Sequence, residues 1–246
     1  MNNTAASALA NRLAYANAVA KLESKGNVIV NRKDNTGQRR EIRMTQSFLR
    51  TEQNLNQNIT NYSFGITNNQ PNASGTIFPT EQRLTLQDVF FAYKVGFYIS
   101  MQSTSGANTT YKNQLMTFPN PQFYLSGGID LNLMQGLWTN GVLNLKINNE
   151  VITPAWDLRK HMDVPVNQLN TIGWPNTDQF FNQFDGDNFG MCTIEPNWIF
   201  NGGSNIDLEI NYAESLTNIG IGSSAVMRLH LIFEGFLAQN ASSIMD

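Results

Sequence analysis

Hydrophobic and polar residues alternate most regularly near the end of the chain, in the run VMRLHLIFEGFLAQN at 226–240. Met227, Leu229 and Leu231 fall on one side of an extended strand, and the positions between them include charged residues. Neighbouring side chains of a strand point to opposite faces. The run therefore predicts a strand near 225–237 whose apolar face forms the inner wall of a barrel.

The other face of this strand mixes charged and apolar side chains. Arg228, His230 and Glu234 alternate with Ile232 and Phe236. Such a face is too apolar for free solvent and too polar for a core, and it is typical of protein–protein interfaces. The pattern predicts that Phe236 lies at a contact between subunits.

Short β-branched and aromatic runs, separated by Asn, Gly and Pro, extend from Gly26 to this last strand. Their length and spacing are typical of an all-β sandwich or barrel. They fall into two sets, each about the size of one eight-stranded barrel. One barrel with long insertions is the alternative. The predicted strands lie near 27–31, 40–50, 59–67, 83–90, 92–100, 110–117, 122–126, 132–138, 142–147, 150–153, 190–195, 197–201, 205–212 and 225–237.

Within the run at 83–100, the apolar positions change from even to odd numbers. Leu84 is followed by Val89, and the odd positions stay apolar as far as Ile99. A change of parity moves the apolar side chains to the opposite face of a strand. It predicts a break or a bulge at Asp88.

Two further runs predict particular elements. VLNLKINNEVI at 142–152 predicts a hairpin, because Asn148 and Asn149 tolerate positive φ between two apolar strands. NIDLEINY at 205–212 predicts a strand with one apolar and one wet face, since its even positions are apolar and its odd positions are polar.

The opening segment TAASALANRLAYANAVAKLES at 4–24 predicts a helix that stops before Gly26. Apolar residues recur along it at helical spacing, which predicts a narrow apolar stripe. This arm, residues 1–25, is expected either to pack on the protein's own body or to lie on a membrane surface. The predicted stripe comprises Leu9, Leu13, Ala16 and Ala20.

Charge is distributed unevenly along the chain, whose total is −3. Residues 1–43 contain eight basic and three acidic side chains, so they carry +5 and the remainder carries −8. A basic end on an acidic body indicates an anionic partner, either phospholipid headgroups or nucleic acid, although a solvated helix with a charged turn has the same composition. Specific nucleic-acid recognition is not expected, because the arm has no groove-reading motif. The residues expected to face the anion are Arg12, Lys21 and Lys25.

The composition is polar but weakly charged. Charged residues make up 14% of the chain, against about 25% in an average domain, while the sequence contains 33 Asn and 15 Gln. Such a surface has little mutual repulsion, which suits a protein that is packed densely against its neighbours, although a biased host genome gives the same composition.

Residues that support catalysis are few. The chain has two histidines, His161 and His230, and neither has suitable neighbours in sequence. A single cysteine, Cys192, is expected to be a small apolar side chain. No nucleophile elbow, phosphate loop or dinucleotide-binding loop is present, so neither enzymatic activity nor a cofactor is expected. No signal-peptide pattern is present, and the chain is expected to be made in the cytoplasm without processing.

Two kinds of binding site remain as alternatives. Asp185, Asp187 and Asn188 offer oxygen ligands for calcium, but their spacing departs from the twelve-residue calcium loop and favours an Asx-rich turn. A carbohydrate-binding sandwich is a different class of function, which would use exposed aromatic rings. The tryptophans available for it are Trp138, Trp156, Trp174 and Trp198.

Two long connections separate the predicted strands, at 67–82 and 163–189. Connections of this length are usually functional or interfacial. The second is rich in aromatic residues, including Trp174 and Phe181, so it is expected to pack against a neighbouring copy or to cover a barrel end.

A set of segments, in order along the body, carries a resemblance to the major capsid proteins of tailless icosahedral phages with an internal membrane. The likeness is nearest to the small versions in single-stranded DNA phages of flavobacteria. It depends on the whole set, since no segment is a catalytic fingerprint, and the arm resembles the family in character only. The segments are SFLRTEQNL at 47–55, EQRLTLQDVFFAYKVGFYI at 81–99, FPNP at 118–121, LWTNGVLNLKINNEVITP at 137–154, VPVNQL at 164–169 and MRLHLIFEGFLAQN at 227–240.

The resemblance implies an all-β fold with two tandem jelly-roll β-barrels, at 26–128 and 129–246, behind the N-terminal α-helical arm. It implies a homotrimer that acts as a pseudo-hexagonal capsomer of an icosahedral virion shell, assembled in the host cytoplasm. The implied partners are other copies, internal membrane lipids through the arm, and penton and minor virion proteins. The expected subunit-interface residues are Trp174, Phe181 and Phe236. A carbohydrate-binding module or an accessory virion protein is the alternative.

Overall fold

The computed structural model describes residues 3–34, 36–56, 58–70, 78–103, 115–118, 131–163, 189–215 and 225–245. The helices are α1 (Asn3–Lys25), α2 (Leu131–Thr139) and α3 (Ser242–Met245), with a 3₁₀ helix at Leu158–His161. The strands are β1 (Val28–Val30), β2 (Arg40–Ile42), β3 (Met44–Asn54), β4 (Asn61–Phe64), β5 (Val89–Ser103), β6 (Gly141–Ile147), β7 (Glu150–Asp157), β8 (Met191–Asn201), β9 (Ile206–Tyr212) and β10 (Ala225–Ala238).

Strands β3 to β10 form two antiparallel four-stranded sheets, with the orders β3-β10-β5-β8 and β4-β9-β6-β7. Successive strands alternate between the sheets, except at the β6–β7 hairpin. This winding is that of a jelly roll, in which two sheets enclose one core. A short parallel pair, β1 and β2, lies outside the two sheets. The described fold is therefore mostly β, as predicted.

Each sheet combines strands from both of the predicted barrels. β3 and β5 precede residue 129 and β8 and β10 follow it, yet these four strands form one sheet. A boundary at 128/129 would also separate β4 from β9, which are hydrogen-bonded neighbours. The prediction of two tandem barrels is therefore corrected, because the described strands form one jelly roll, the predicted alternative.

The predicted strand at 132–138 is a helix. Met134, Leu137 and Trp138 of α2 are completely buried. Their spacing of three and one residues brings all three to one face of a helix, whereas an extended strand would divide them between two faces. The run therefore belongs to the core with the period of a helix, and Trp138 is not the exposed ring that a carbohydrate site would need.

β10 lies in the middle of its sheet, between β3 and β5. The predicted strand and its apolar inner face are both confirmed. Each inward side chain contributes about 1.5–3 kcal/mol through burial, so this strand is central to the stability of the core. The completely buried residues are Met227, Leu229, Leu231 and Phe233.

β5 changes face part-way along its length. Its register shifts between Ala92 and Lys94. Before the shift, Phe91 points outward, and after it, Val95 points into the core between the sheets. The predicted break at Asp88 is confirmed as the residue before β5. The predicted single parity from residue 89 onward is wrong, because a bulge at 92–94 exchanges the two faces.

The predicted hairpin is confirmed. Asn148 and Asn149 connect β6 to β7 with φ angles of 50° and 66°. Two successive residues with positive φ match the right-handed twist of the flanking strands. The predicted alternation of β9 is also confirmed, since Ile206, Leu208, Ile210 and Tyr212 are all buried.

Several predicted positions lie outside the described residues. They include the strand near 122–126 and nearly all of the connection at 163–189. The residues concerned are Trp174, Phe181, Asp185, Asp187 and Asn188.

Candidate functional site on the outer face of one sheet

The arm packs on the outer face of the β3-β10-β5-β8 sheet. Ala14, Ala18 and Leu22 of α1 are buried in an apolar cluster that includes Phe91 and Phe236. Residues four positions apart lie one above the other on a helix, so one face of α1 covers the sheet. Of the two predicted positions for the arm, the structure shows the one on the protein's own body.

The predicted apolar stripe of the arm is wrong. Ala16 and Ala20 are exposed, and Leu9 and Leu13 are 69% and 59% exposed. Small alanines face the sheet because the aromatic side chains below them already fill the space between helix and strands. Leu9 and Leu13, together with the exposed Arg12, form a projecting surface that we call the α1 ridge.

Phe236 lies beneath this helix. Its ring is 5.3 Å from the ring of Tyr15 in an edge-to-face contact and 5.5 Å from the ring of Tyr93 in a stacked contact. Only 7% of Phe236 is exposed. Its predicted place at a subunit interface is therefore corrected, because the apolar contact is made with the chain's own arm.

The predicted anion-facing residues Arg12, Lys21 and Lys25 are all exposed on α1. A cleft of about 610 Å³ lies beside β2 and α3 and is lined by Arg40 and Arg43. All eight basic residues of the first 43 positions are exposed. The basic segment is therefore accessible to an anionic partner.

A buried polar cluster occupies the other part of this face. Glu52 of β3 is fully buried opposite His230 of β10. Glu52 Oε1 accepts a hydrogen bond from Arg50 Nε at 2.8 Å and lies 3.5 Å from His230 Nδ1, while Thr80 also donates to it. Glu52 Oε2 lies 3.4 Å from Arg228 Nη1. We call these residues, with Ser100, the Glu52 cluster.

Burial and neighbouring charges determine the protonation states in the Glu52 cluster. Burial favours the neutral acid, but hydrogen bonds from His230 and Thr80 and the charge of Arg50 prevail and lower the pKa of Glu52 to about 2. Burial lowers the pKa of His230, and the positive charges of Arg50 and Arg228 act in the same direction. At pH 7 the cluster therefore contains one carboxylate, two guanidinium groups and a neutral imidazole.

Ser100, His230 and Glu52 have the connectivity of a Ser–His–acid triad. Ser100 Oγ lies 2.6 Å from His230 Nε2, and Nδ1 faces Glu52. In such a triad the histidine takes the hydroxyl proton while a substrate approaches the oxygen. Ser100 and His230 are 2% and 1% exposed, and Arg50 Nη2 lies 3.4 Å from Nδ1. The described arrangement suits the joining of three strands, since it gives a substrate no approach to Ser100.

Sequence reasoning placed His230 on the outer face but missed its partners. Glu52 and Ser100 meet it through the pairing of β10 with β3 and β5, which local pattern does not reveal. Local pattern gave no signal for Glu52, because the predicted strand near 40–50 ends before it, whereas β3 extends to Asn54.

His161 is a buried structural residue. Its Nδ1 lies 2.8 Å from the carbonyl oxygen of Gly190, and its Nε2 accepts a hydrogen bond from Trp156 Nε1 at 2.8 Å. Nδ1 therefore carries the proton and donates it to Gly190. Burial lowers the pKa of His161 to about 4, so the ring is neutral at pH 7.

No family model matches the sequence, and no curated protein matches it either. Among the described residues, no group of three or more His, Cys, Asp or Glu side chains is placed to hold a metal ion. None of the helices in that part of the chain is long and apolar enough to cross a membrane.

One lateral side of the sandwich is closed by the chain itself. Gln82 exchanges two backbone hydrogen bonds of 2.9 Å with Arg50 of β3, and Leu84 N donates to Ile66 O just beyond β4. The Glu81–Arg83 ion pair, at 3.1 Å, is buried in the same segment. Residues 78–84 therefore cover the edge where β3 and β4 meet.

The opposite lateral side, where β7 and β8 meet, contains an opening of about 560 Å³ that we call the β7–β8 cleft. Trp156 lines it and is half-buried, whereas Trp198 is 5% exposed and Trp138 lies in the core. Of the described tryptophans predicted for carbohydrate binding, Trp156 alone is accessible. The lining also includes Glu150, Ile152, Glu195 and Pro196.

Proposed function

We propose that the protein is a major capsid protein that self-assembles, as homotrimeric capsomers, into an icosahedral virion shell around an internal membrane. The observation that carries the proposal is one jelly roll with a helical basic arm docked on an outer sheet face. Eight-stranded jelly rolls build viral shells and lectins. The sequence resemblance favours the shell, and the weakly charged surface suits dense packing.

The single barrel changes one part of this expectation. A trimer of chains with two barrels each contains six barrels, which gives it a pseudo-hexagonal outline. Three copies of the described jelly roll supply only three barrels. The proposed capsomer is therefore a trimer of single barrels. Penton and minor virion proteins complete the proposed shell.

The basic residues of the arm determine which side of the proposed capsomer faces the virion interior. Each Lys or Arg near an anionic bilayer contributes about 1 kcal/mol. Arg12, Lys21 and Lys25 are exposed on α1, and Arg40 and Arg43 line the cleft beside β2. In the proposed shell α1 faces the virion interior, where it contacts anionic lipid or the next capsomer.

Purified protein tests the proposal by light scattering, electron microscopy and sedimentation with vesicles. We expect trimers, closed particles, and binding to vesicles with anionic lipid but not to neutral ones. Replacing Lys21 and Lys25 by Gln should weaken vesicle binding about thirtyfold and leave trimers intact. A protein that stays monomeric at all concentrations contradicts the proposal. Trimers that never form particles favour the accessory virion protein.

A carbohydrate-binding module is the second candidate, and Trp156 is the observation that favours it. A half-buried aromatic ring beside the polar rim of the β7–β8 cleft can serve as a platform on which a sugar stacks. Lys160 Nζ, however, lies 4.3 Å from the centre of this ring and occupies part of its face. Binding to a glycan array that is lost in Trp156→Ala would support this candidate.

A further inference from the structure

Two surfaces of the described chain carry exposed apolar residues in groups. Leu9 and Leu13 are exposed on the α1 ridge, while Ile152 of β7 is 40% exposed in the β7–β8 cleft and follows Val151, which is 53% exposed. Exposed apolar residues that occur in groups mark interaction sites more often than isolated ones do. Both surfaces are therefore candidates for a protein contact.

The two surfaces have complementary charge. Arg12 lies between the two leucines of the α1 ridge, and Glu150 and Glu195 line the β7–β8 cleft. All three side chains are exposed, and none forms an ion pair within the described residues. Opposite charges around an apolar centre orient two surfaces during association.

The edge strand β7, which borders the cleft, favours the binding of a helix over the addition of a strand. Pro154 lies within β7 and has no N–H to donate, and two register shifts disturb the pairing of β7 with β6. Both features hinder the addition of a strand to an exposed edge. The occupant is then expected to bind through side chains, as the α1 ridge can.

The ridge cannot fill the cleft of its own chain. Ala14, Ala18 and Leu22 hold α1 on the outer face of the sheet. β8 separates the two surfaces, since residues 194–197 line the cleft on one side and a groove beside α1 on the other. A second copy can bring its ridge to the cleft.

We propose that the α1 ridge of one copy binds in the β7–β8 cleft of the next copy, with Arg12 paired to Glu150. This inference rests on the proposed self-assembly and names the contact that produces it. The contact joins two different surfaces, so its repetition closes a trimeric ring when successive copies are related by a third of a turn. Arg12 then serves a protein contact, and Lys21 and Lys25 remain available to the anionic surface.

Sedimentation velocity on the full chain over a range of concentrations tests the contact. Arg12→Glu and Glu150→Arg should each raise the dissociation constant about tenfold or more. The double variant that exchanges the two charges should return it to within about threefold of the wild-type value, because coupled residues are not additive. Leu13→Asp and Ile152→Asp should also weaken association.

Ile59→Asp is the matched control, since Ile59 is 37% exposed and precedes β4, which lies at the opposite edge of its sheet from β7. It should leave the dissociation constant unchanged, and circular dichroism should show that every variant is folded. The proposed contact is wrong if all four single variants associate like the wild type, or if the charge exchange does not restore association. Either result leaves the proposed function untouched. A wild-type chain that never associates overturns the proposed function as well.

Discussion

Glu52 holds the buried polar cluster together, because it is the acceptor for two arginines on neighbouring strands. Removing one partner of a buried ion pair leaves an uncompensated charge, which costs about 3–5 kcal/mol. Glu52→Gln should therefore lower the free energy of unfolding by roughly that amount, measured by urea denaturation.

Glu150→Gln is the control for this substitution, because Glu150 is exposed and should change stability by less than about 0.5 kcal/mol. Equal stability of the Glu52 and Glu150 variants would show that the cluster does not support the sheet.

His161 should make stability depend on pH. Its folded pKa of about 4 lies below the ordinary value of 6.5, so the unfolded chain binds a proton first on acidification. The contribution is complete above pH 6.5 and is lost as pH falls toward 4, to a total of about 3 kcal/mol. Urea unfolding at pH 7 and pH 4.5 should show this loss.

In His161→Gln the loss between the two pH values should be smaller, although the other buried histidine, His230, still contributes. A variant with the same pH dependence as the wild type would assign the acid sensitivity to other groups.

The docking of α1 depends on its alanine face. Ala18 is 1% exposed, whereas Ala16 points to solvent on the same helix. A carboxylate buried without a partner costs several kcal/mol, so Ala18→Glu should release the arm and speed proteolysis within α1 by roughly tenfold or more. Ala16→Glu carries the same charge at a neighbouring position and should be cleaved like the wild type. Equal cleavage of both variants would contradict the observed docking face.

Elements defined by neighbouring residues were predictable from the sequence. The turn at Asn148 and Asn149 and the alternation in β9 and β10 depend on local geometry, and the structure confirms them. The face of α1 was not predictable, because the aromatic surface beneath it comes from β5 and β10. The bulge in β5 was missed for a similar reason, since the arm provides the second apolar environment that Phe91 and Tyr93 occupy.

The whole architecture depends on pairings between distant parts of the chain. The number of predicted strands matched two barrels, because two sets of strands follow each other in sequence. Their arrangement is one jelly roll, in which β3 pairs with β10 and β5 with β8. The number of apolar runs does not determine which strands become neighbours, and the Glu52 cluster exists only through those neighbours.

The central position of β10 also affects the order of events during synthesis. β3 and β5 lack the strand that lies between them until residues 225–238 have left the ribosome. At about 5–20 residues per second, β3 waits roughly 10–40 seconds for its partner. During that time its unpaired edge can join a neighbouring nascent chain on the same messenger. A protein made in large amounts would therefore depend on chaperones, or on well-spaced ribosomes, until translation of the last strand is complete.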